Sequence, residues 1–366
     1  MRLFGSAGGT LGGFEELLSK AGTGQELEGP LSPVGDWMYS QRADGTGIVT
    51  AGAYARALDQ AAALKEATAE SGSELADAPW TFMGPINIGG RVSEIALDPT
   101  PADIVYAATA SGGVWKSTDG AVTWTYSWDP NLTQAMGAIA VASDGTIYAG
   151  TGEVNPGGGS VVWGGTGLYR SEDGGATWQP IGLPTSGAIG RIAVDPSDPK
   201  RVFVASAGNL FVPGGERGLY RTTDGGDTWE RVLAGDNDTT GAADVAVDPA
   251  NPQNILVGMW DHQRLPTHRL YSGPGSGVYL SKDGGATWQR ATLPGNVAPE
   301  EVGRIGVAFA PSTPTRAYAV VANKANGSGV GLWRSDDGGA TWTKTSATPA
   351  ALSQSSYGWW FGKVWV

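Results

Sequence analysis

From Arg91 onward the chain alternates short β-rich runs with turn residues. "RVSEIALDPTPADIVYAATA", "MGAIAVASDGTIYAGTG", "GRIAVDPSDPKRVFVASAG", "ADVAVDPANPQNILVGMW" and "GRIGVAFAPSTPTRAYAVVAN" each hold two such runs, split by an Asp/Pro/Gly turn. A third run follows as "GLYRS", "GLYRT", "GVYLS" or "GLWRS", and a fourth starts at a tryptophan. Between the third and fourth runs one phrase returns five times, as "STDGAVTW", "SEDGGATW", "TTDGGDTW", "SKDGGATW" and "SDDGGATW". Its aspartates are Asp119, Asp173, Asp224, Asp283 and Asp337, and its tryptophans are Trp124, Trp178, Trp229, Trp288 and Trp342. Four strands in a unit of roughly 50 residues predict a blade of a β-propeller, an all-β ring of four-stranded sheets. No helix-length amphipathic segment lies between the units, which excludes a parallel α/β fold.

The first 79 residues have a different character and are read as an arm preceding a propeller over residues 80–366. "TAGAYARALDQAAALKEATAESG" predicts one helix over about residues 51–71, with Thr50 as N-cap and Gly72 as its stop. Tyr54, Leu58 and Ala61 fall on one face, expected to pack against the propeller. "WTFMGPINIGG", from Trp80 to Gly90, reads as a leading strand. At the far end "YGWWFGKVWV" supplies only the inner strand of a sixth unit. The expectation is an unfinished ring: a fragment, or a ring completed by the N-terminal segment or another chain.

Composition narrows the function. A net charge of -12 and a pI near 4.6, without a Lys/Arg cluster, exclude a nucleic-acid partner. The absence of cysteine excludes disulfides, thiolate metal sites and a cysteine nucleophile. No apolar run reaches the length of a membrane span, and "MRLFGSAGGTLGGFEELL" is not an ordinary signal peptide.

The phrase Ser/Thr-x-Asp-Gly-Gly-x-Thr-Trp has a local logic. A short aspartate accepts hydrogen bonds from backbone N–H groups just ahead of it, and the glycines permit positive φ in a tight hairpin. Five copies at blade spacing cannot share one active site, so they are read as structural. The phrase is identified as the Asp-box, or BNR repeat. Four copies are complete, and the first has Ala121 at the second glycine, which predicts a less regular turn. The resemblance runs from Trp80 to Val366. It extends to sialidases, xyloglucan-active glycoside hydrolases, sortilin-type receptors and uncharacterised exported bacterial propellers. It implies the propeller fold, but not one activity.

In the xyloglucan-active enzymes a stretch resembling Tyr-Ala-Arg-Thr-Asp-x-Gly-Gly carries a catalytic aspartate. The matching "YAATASGG" places Ala110 there, which argues against a reaction that needs two carboxyl groups. Sialidases use three arginines around a substrate carboxylate. Arg91, Arg191 and Arg304, each following a glycine at the start of an innermost strand, are read as occupying equivalent positions. No Tyr/Glu nucleophile pair is identifiable from spacing. The remaining carboxylate candidates are Glu153 and Asp261. Asp261 opens a long polar loop that also holds His262, Arg264, His268 and Tyr271, read as a contact surface for a ligand or partner, not a metal site. Trp359 and Trp360 are adjacent, so one faces inward and the other outward.

Two readings result. The first is a non-catalytic binding or scaffold propeller that needs no cofactor. It presents loops to a protein or carbohydrate partner in a cell-envelope assembly, in the periplasm or outside the cell. The alternative is a glycoside hydrolase or sialidase-like enzyme acting on a glycan.

Overall fold

β-Branched and aromatic runs bounded by Asp, Pro and Gly form strands, and short turns force consecutive strands to pair antiparallel. The computed structural model describes residues 43, 50, 52–70, 89–155, 164–265, 268–295, 298–323, 329–347 and 362–366. Within them lie five four-stranded antiparallel sheets. Blade 1 is β1 (Val92–Leu97), β2 (Val105–Thr109), β3 (Val114–Ser117) and β4 (Thr125–Tyr126). Blade 2 is β5 (Met136–Val141), β6 (Ile147–Thr151), β7 (Leu168–Ser171) and β8 (Gln179–Gly182). Blade 3 is β9 (Ile189–Asp195), β10 (Asp198–Ser206), β11 (Gly218–Thr222) and β12 (Glu230–Leu233). Blade 4 is β13 (Thr240–Val247), β14 (Ile255–Asp261), β17 (Gly277–Ser281) and β18 (Gln289–Arg290). Between its second and third strands the expected long loop becomes a ribbon, β15 (Gln263–Leu265) paired with β16 (His268–Leu270). Blade 5 is β19 (Val302–Phe309), β20 (Ala317–Asn323), β21 (Gly329–Ser335) and β22 (Thr343–Lys344).

The core lies between blades. Tyr106, Ala108 and Val114 of blade 1 pack on Met136, Ile139, Ile147 and Ala149 of blade 2. Phe203, Ala205 and Leu219 of blade 3 meet Val245, Ile255 and Val257 of blade 4. Leu256, Val278 and Leu280 of blade 4 meet Ile305, Val307, Ala319 and Trp333 of blade 5. Each blade is thus apolar on both faces, as sheets stacked around a ring require.

The repeated turns show their chemistry directly. Asp173 Oδ1 accepts from the N–H groups of Ala176 and Thr177, and its Oδ2 accepts from the Thr177 hydroxyl at 2.6 Å. The Ser171 hydroxyl donates to Asp173 and accepts from the Gly175 N–H at 2.8 Å. The Thr123 and Thr287 hydroxyls lead the contacts that hold the Asp119 and Asp283 carboxyls down at about 2. The turns also tie blades together. Lys116 and Tyr106 of blade 1 donate to the Gly174 carbonyl of the next turn, at 2.8 and 3.2 Å. Arg170 and Tyr148 of blade 2 do the same to Gly225, and Arg221 of blade 3 to Gly284. Trp178 and Trp229 return a ring N–H to Ser127 and Ile181 of the preceding blade. These tryptophans are therefore inter-blade ties.

The first turn is regular, contrary to expectation. Ala121 takes φ +71°, its N–H bonds the Ser117 hydroxyl at 2.9 Å, and Thr123 makes both bonds to Asp119. Alanine sustains this left-handed conformation at a cost of about 1 kcal/mol. Ala121→Gly is expected to raise stability by up to about 1 kcal/mol in urea unfolding, with an unchanged m-value.

The predicted helix is present as α1 (Ala53–Glu70), but none of its residues is buried. Tyr54 and Leu58 are half-buried and Ala61 is exposed, so the expected apolar stripe is not packed away. Thr50 does not cap the helix through its side chain. Its carbonyl accepts from Ala53, and its hydroxyl accepts from Arg56 at 2.6 Å. Gly72, the boundary near residue 80 and most of the expected leading strand lie outside the described residues.

Candidate functional site at the channel mouth

The innermost strands β1, β5, β9, β13 and β19 converge on a central channel, and their register decides what faces it. In each blade the second strand meets the Ser or Thr of its repeated turn at Val105, Ile147, Val202, Ile255 or Ala317. Three residues further along, the same strand faces Glu94, Ala138, Arg191, Asp244 and Gly306 of the innermost strands, respectively. These five positions are equivalent. Residues 362–366 run beside β19, where a Cβ on Gly306 would lie 2.4 Å from the Gly362 carbonyl and 2.9 Å from the Lys363 Cα. Lys363 thereby joins the same level of the channel.

The channel level carries two carboxylates and two cations separated by small residues. Lys363 Nζ lies 2.7 Å from Glu94 Oε2. Arg191 lies 3.6 Å from Glu94 and 3.9 Å from Asp244. Asp244 is fully buried and also accepts from the Val307 N–H at 3.1 Å. Burial pushes its carboxyl upward, while Arg191 and Lys363 oppose that shift. Burial likewise lowers the Lys363 ammonium and brings the Arg304 guanidinium down to about 10. Gly306 leaves the room that the Gly362–Lys363 backbone occupies.

This register corrects the equivalence read for the three arginines. Arg191 alone lies at the channel level. Arg304 enters two residues earlier on β19, and Arg91 precedes β1. The offset lies in the chain itself, because Arg91 stands seven residues before Asp98 and Arg191 only four before Asp195, while the pairing at the channel level is the same in all five blades. Arg91 pairs with the buried Glu153 of blade 2, Nη2 to Oε2 at 2.6 Å. Arg304 is fully buried, donates to Asn155 Oδ1, and places its guanidinium carbon 5.8 Å from the Trp260 ring centroid. The described residues therefore do not assemble the three-arginine grip of a sialidase.

One channel mouth gathers most of the candidates, because it collects the ends of the second strands and the starts of the innermost ones. Trp260 and His262 stack in parallel with centroids 4.3 Å apart, and the Trp260 N–H donates to the Tyr271 carbonyl. His262 is fully buried. Desolvation first, then the neighbouring Arg217, holds its imidazole neutral far below its ordinary range. Arg217, which sequence reasoning missed, is 3% exposed and donates to the carbonyls of Ala207, Asn209, Val212, Thr239 and His262. It ties three loops together. Asp261 accepts from Asn237 and, at 2.5 Å, from the Thr239 hydroxyl, and its N–H bonds the Ser276 hydroxyl. This carboxylate braces loops. Ala110 is buried and its N–H bonds the Arg91 carbonyl, so the position is apolar in fact as well as in sequence. The side chains of Arg264 and His268 lie outside the described residues, as do Trp359 and Trp360.

The mouth is thus a rim of Arg91, Asn155, Asn209 and Tyr271 over a buried floor of Trp260, His262, Arg217 and Arg304. Asp244 and Lys363 had one readable signal in the chain, a lone charge between apolar or glycine neighbours, whereas Glu94 follows Ser93 and Arg217 follows Glu216.

With this geometry in hand, known proteins supply the comparison. The family model Sortilin-Vps10 (sortilin, neurotensin receptor 3) matches residues 166–273. A xyloglucanase of Paenibacillus sp is 27% identical over 338 residues, covering 84% of this chain and 31% of that protein. A xyloglucanase of Hypocrea jecorina (strain QM6a) is 31% identical over 140 residues, 36% of this chain and 16% of the relative. The crystal structure of an ancestral GH74 enzyme superposes with a TM-score of 0.55 at 22% identity, over 73% of this chain and 33% of that one. The GH74 xyloglucanase of Xanthomonas campestris gives 0.51 at 21% identity, over 70% and 38%. The chain has the β-propeller fold of these enzymes. This propeller spans about a third of the length of the Paenibacillus xyloglucanase. Among its described residues no helix is long and apolar enough to cross a membrane.

Proposed function

We propose that the chain is a glycoside-hydrolase-type propeller whose channel mouth engages a neutral glycan outside the cytoplasm, in the extracellular space or the periplasm. The match to a xyloglucanase through 84% of the chain carries this reading and favours it over a scaffold that binds only protein. The chemistry of the rim fits it. Amides of Asn155 and Asn209 and the guanidinium of Arg91 offer fixed hydrogen-bonding groups, and the half-buried Tyr271 offers an aromatic surface.

Hydrolysis requires two carboxyl groups across the scissile bond. At this mouth Ala110 replaces one, Glu153 is bound by Arg91, and Asp261 is consumed by Thr239 and Asn237. The contribution of these residues is therefore glycan binding, and Glu153, buried and paired with Arg91, is the carboxylate to neutralise as a check for hydrolysis. Titration calorimetry with a xyloglucan oligosaccharide, paired with a reducing-end assay on the polymer, tests the reading. The protein is expected to bind, and Arg91→Ala to weaken binding roughly tenfold through loss of a charge-assisted hydrogen bond. Any release of reducing ends should disappear in Glu153→Gln. Absence of both binding and release would contradict the proposal.

A further inference from the structure

Beyond its charged level the channel carries a second layer of a different kind. Two residues further along the innermost strands, Ala96, Ala140, Ala193, Ala246 and Ala308 face Tyr106, Tyr148, Phe203, Leu256 and Tyr318 of the second strands. These five positions are equivalent, and all are alanine. The alternation of a strand turns them to the same channel face as Glu94, Arg191 and Asp244. The segment beside β19 breaks the pattern. Two residues after Lys363 it carries Trp365, which is 61% exposed.

Trp365, Arg191 and the alanines Ala193, Ala246 and Ala308 line a cavity of about 320 Å3. The cavity reaches Pro249 and Pro311, in the turns that follow β13 and β19, so it opens away from the Arg91–Glu153 mouth. Arg191 is the one charged residue of its lining. The Arg191 guanidinium carbon lies 5.4 Å from the Trp365 ring centroid, and Lys363 Nζ lies 5.9 Å from it. The contacts of Arg191 with Glu94 and Asp244, at 3.6 and 3.9 Å, are longer than hydrogen bonds. Its Nη1 is buried without a hydrogen-bond partner among the described residues. Charge alone holds this guanidinium, which leaves its donors to an acceptor entering from the cavity. Arg191, Lys363 and Arg304 against Glu94 and Asp244 leave one cation in excess.

We propose that this cavity binds a small aromatic carboxylate, its acid group on Arg191 and its ring between the alanine layer and the Trp365 indole. The excess cation selects an anion, and the apolar wall selects its body. A sugar would strand hydroxyl groups against alanine and valine. A cavity of this size admits a single-ring ligand, and ring stacking on Trp365 orients it. The site is separate from the glycan mouth and does not rest on that reading.

The test is saturation-transfer NMR on the 366-residue protein with 3-phenylpropionate and its neutral amide, 3-phenylpropionamide. The acid is expected to bind, and the amide to bind roughly tenfold more weakly for want of the charge-assisted pair. Arg191→Met should bring acid and amide to equal affinity. Ala246→Leu fills the cavity from a half-buried position, and Trp365→Ala alters an exposed one, so neither touches the buried charges. Each should weaken the acid roughly fivefold or more. Equal binding of acid and amide by the parent protein would overturn the proposal. So would acid binding that survives both Ala246→Leu and Trp365→Ala, or no transfer to the acid at millimolar concentration.

Discussion

Asp244→Ala is expected to cost about 3–5 kcal/mol of folding stability, the penalty for leaving buried charge unpaired. The fully buried Asp244 carboxylate faces Arg191, receives the Val307 N–H, and stands within the field of Lys363 and Arg304. Its removal leaves three cations against Glu94 alone. Asp244→Asn keeps an acceptor for Val307 and should lose less. Combining Asp244→Ala with Arg191→Met should recover part of the loss, because the second change removes the stranded cation. Urea unfolding of the four proteins measures these differences. A loss below about 1 kcal/mol in Asp244→Ala would show that the channel charges are solvated and do not hold the inner strands together.

Arg217→Ala is expected to lose a comparable amount, about 3–5 kcal/mol, for a different reason. Arg217 faces carbonyls, and burial lowers its guanidinium to about 10 even with Asp261 and Asp238 favouring the charge. Truncation strands five carbonyl oxygens in three loops and opens space beneath His262 and Asn209. Arg217→Lys supplies one ammonium in place of a planar fork and cannot reach all five, so it should rescue only part. The loss is expected in urea unfolding and in faster amide exchange across residues 207–212 and 237–240. Rapid exchange there in the parent protein would contradict the bracing role.

The blades were legible because alternation and turn chemistry are local. "GRIAVDPSDPKRVFVASAG" contains its own hairpin, and each Ser-x-Asp-Gly-Gly turn completes its hydrogen bonds within a few residues. The channel was not legible, because its level is set by pairing with the second strand and not by the Gly-Arg dipeptides. Gly90-Arg91, Gly190-Arg191 and Gly303-Arg304 look alike in the chain, yet the arginines lie three, zero and two residues before the position that faces the channel. Glu94 and Lys363 lie at opposite ends of the propeller sequence, and only ring geometry brings them to 2.7 Å. Ala110 is buried and apolar, while Glu153 and Asp261 looked available until their partners Arg91 and Thr239 were seen. The helix illustrates a third case. Its periodicity was local and clear, but burial of its face depends on a surface the segment does not contain.

The most direct test of the account is hydrogen exchange on the protein with and without a saturating xyloglucan oligosaccharide. The account predicts protection confined to the channel mouth, at residues 89–92, 151–155 and 207–211, with the Asp-box hairpins unchanged. Protection at the Asp-box hairpins, or none anywhere, would contradict it.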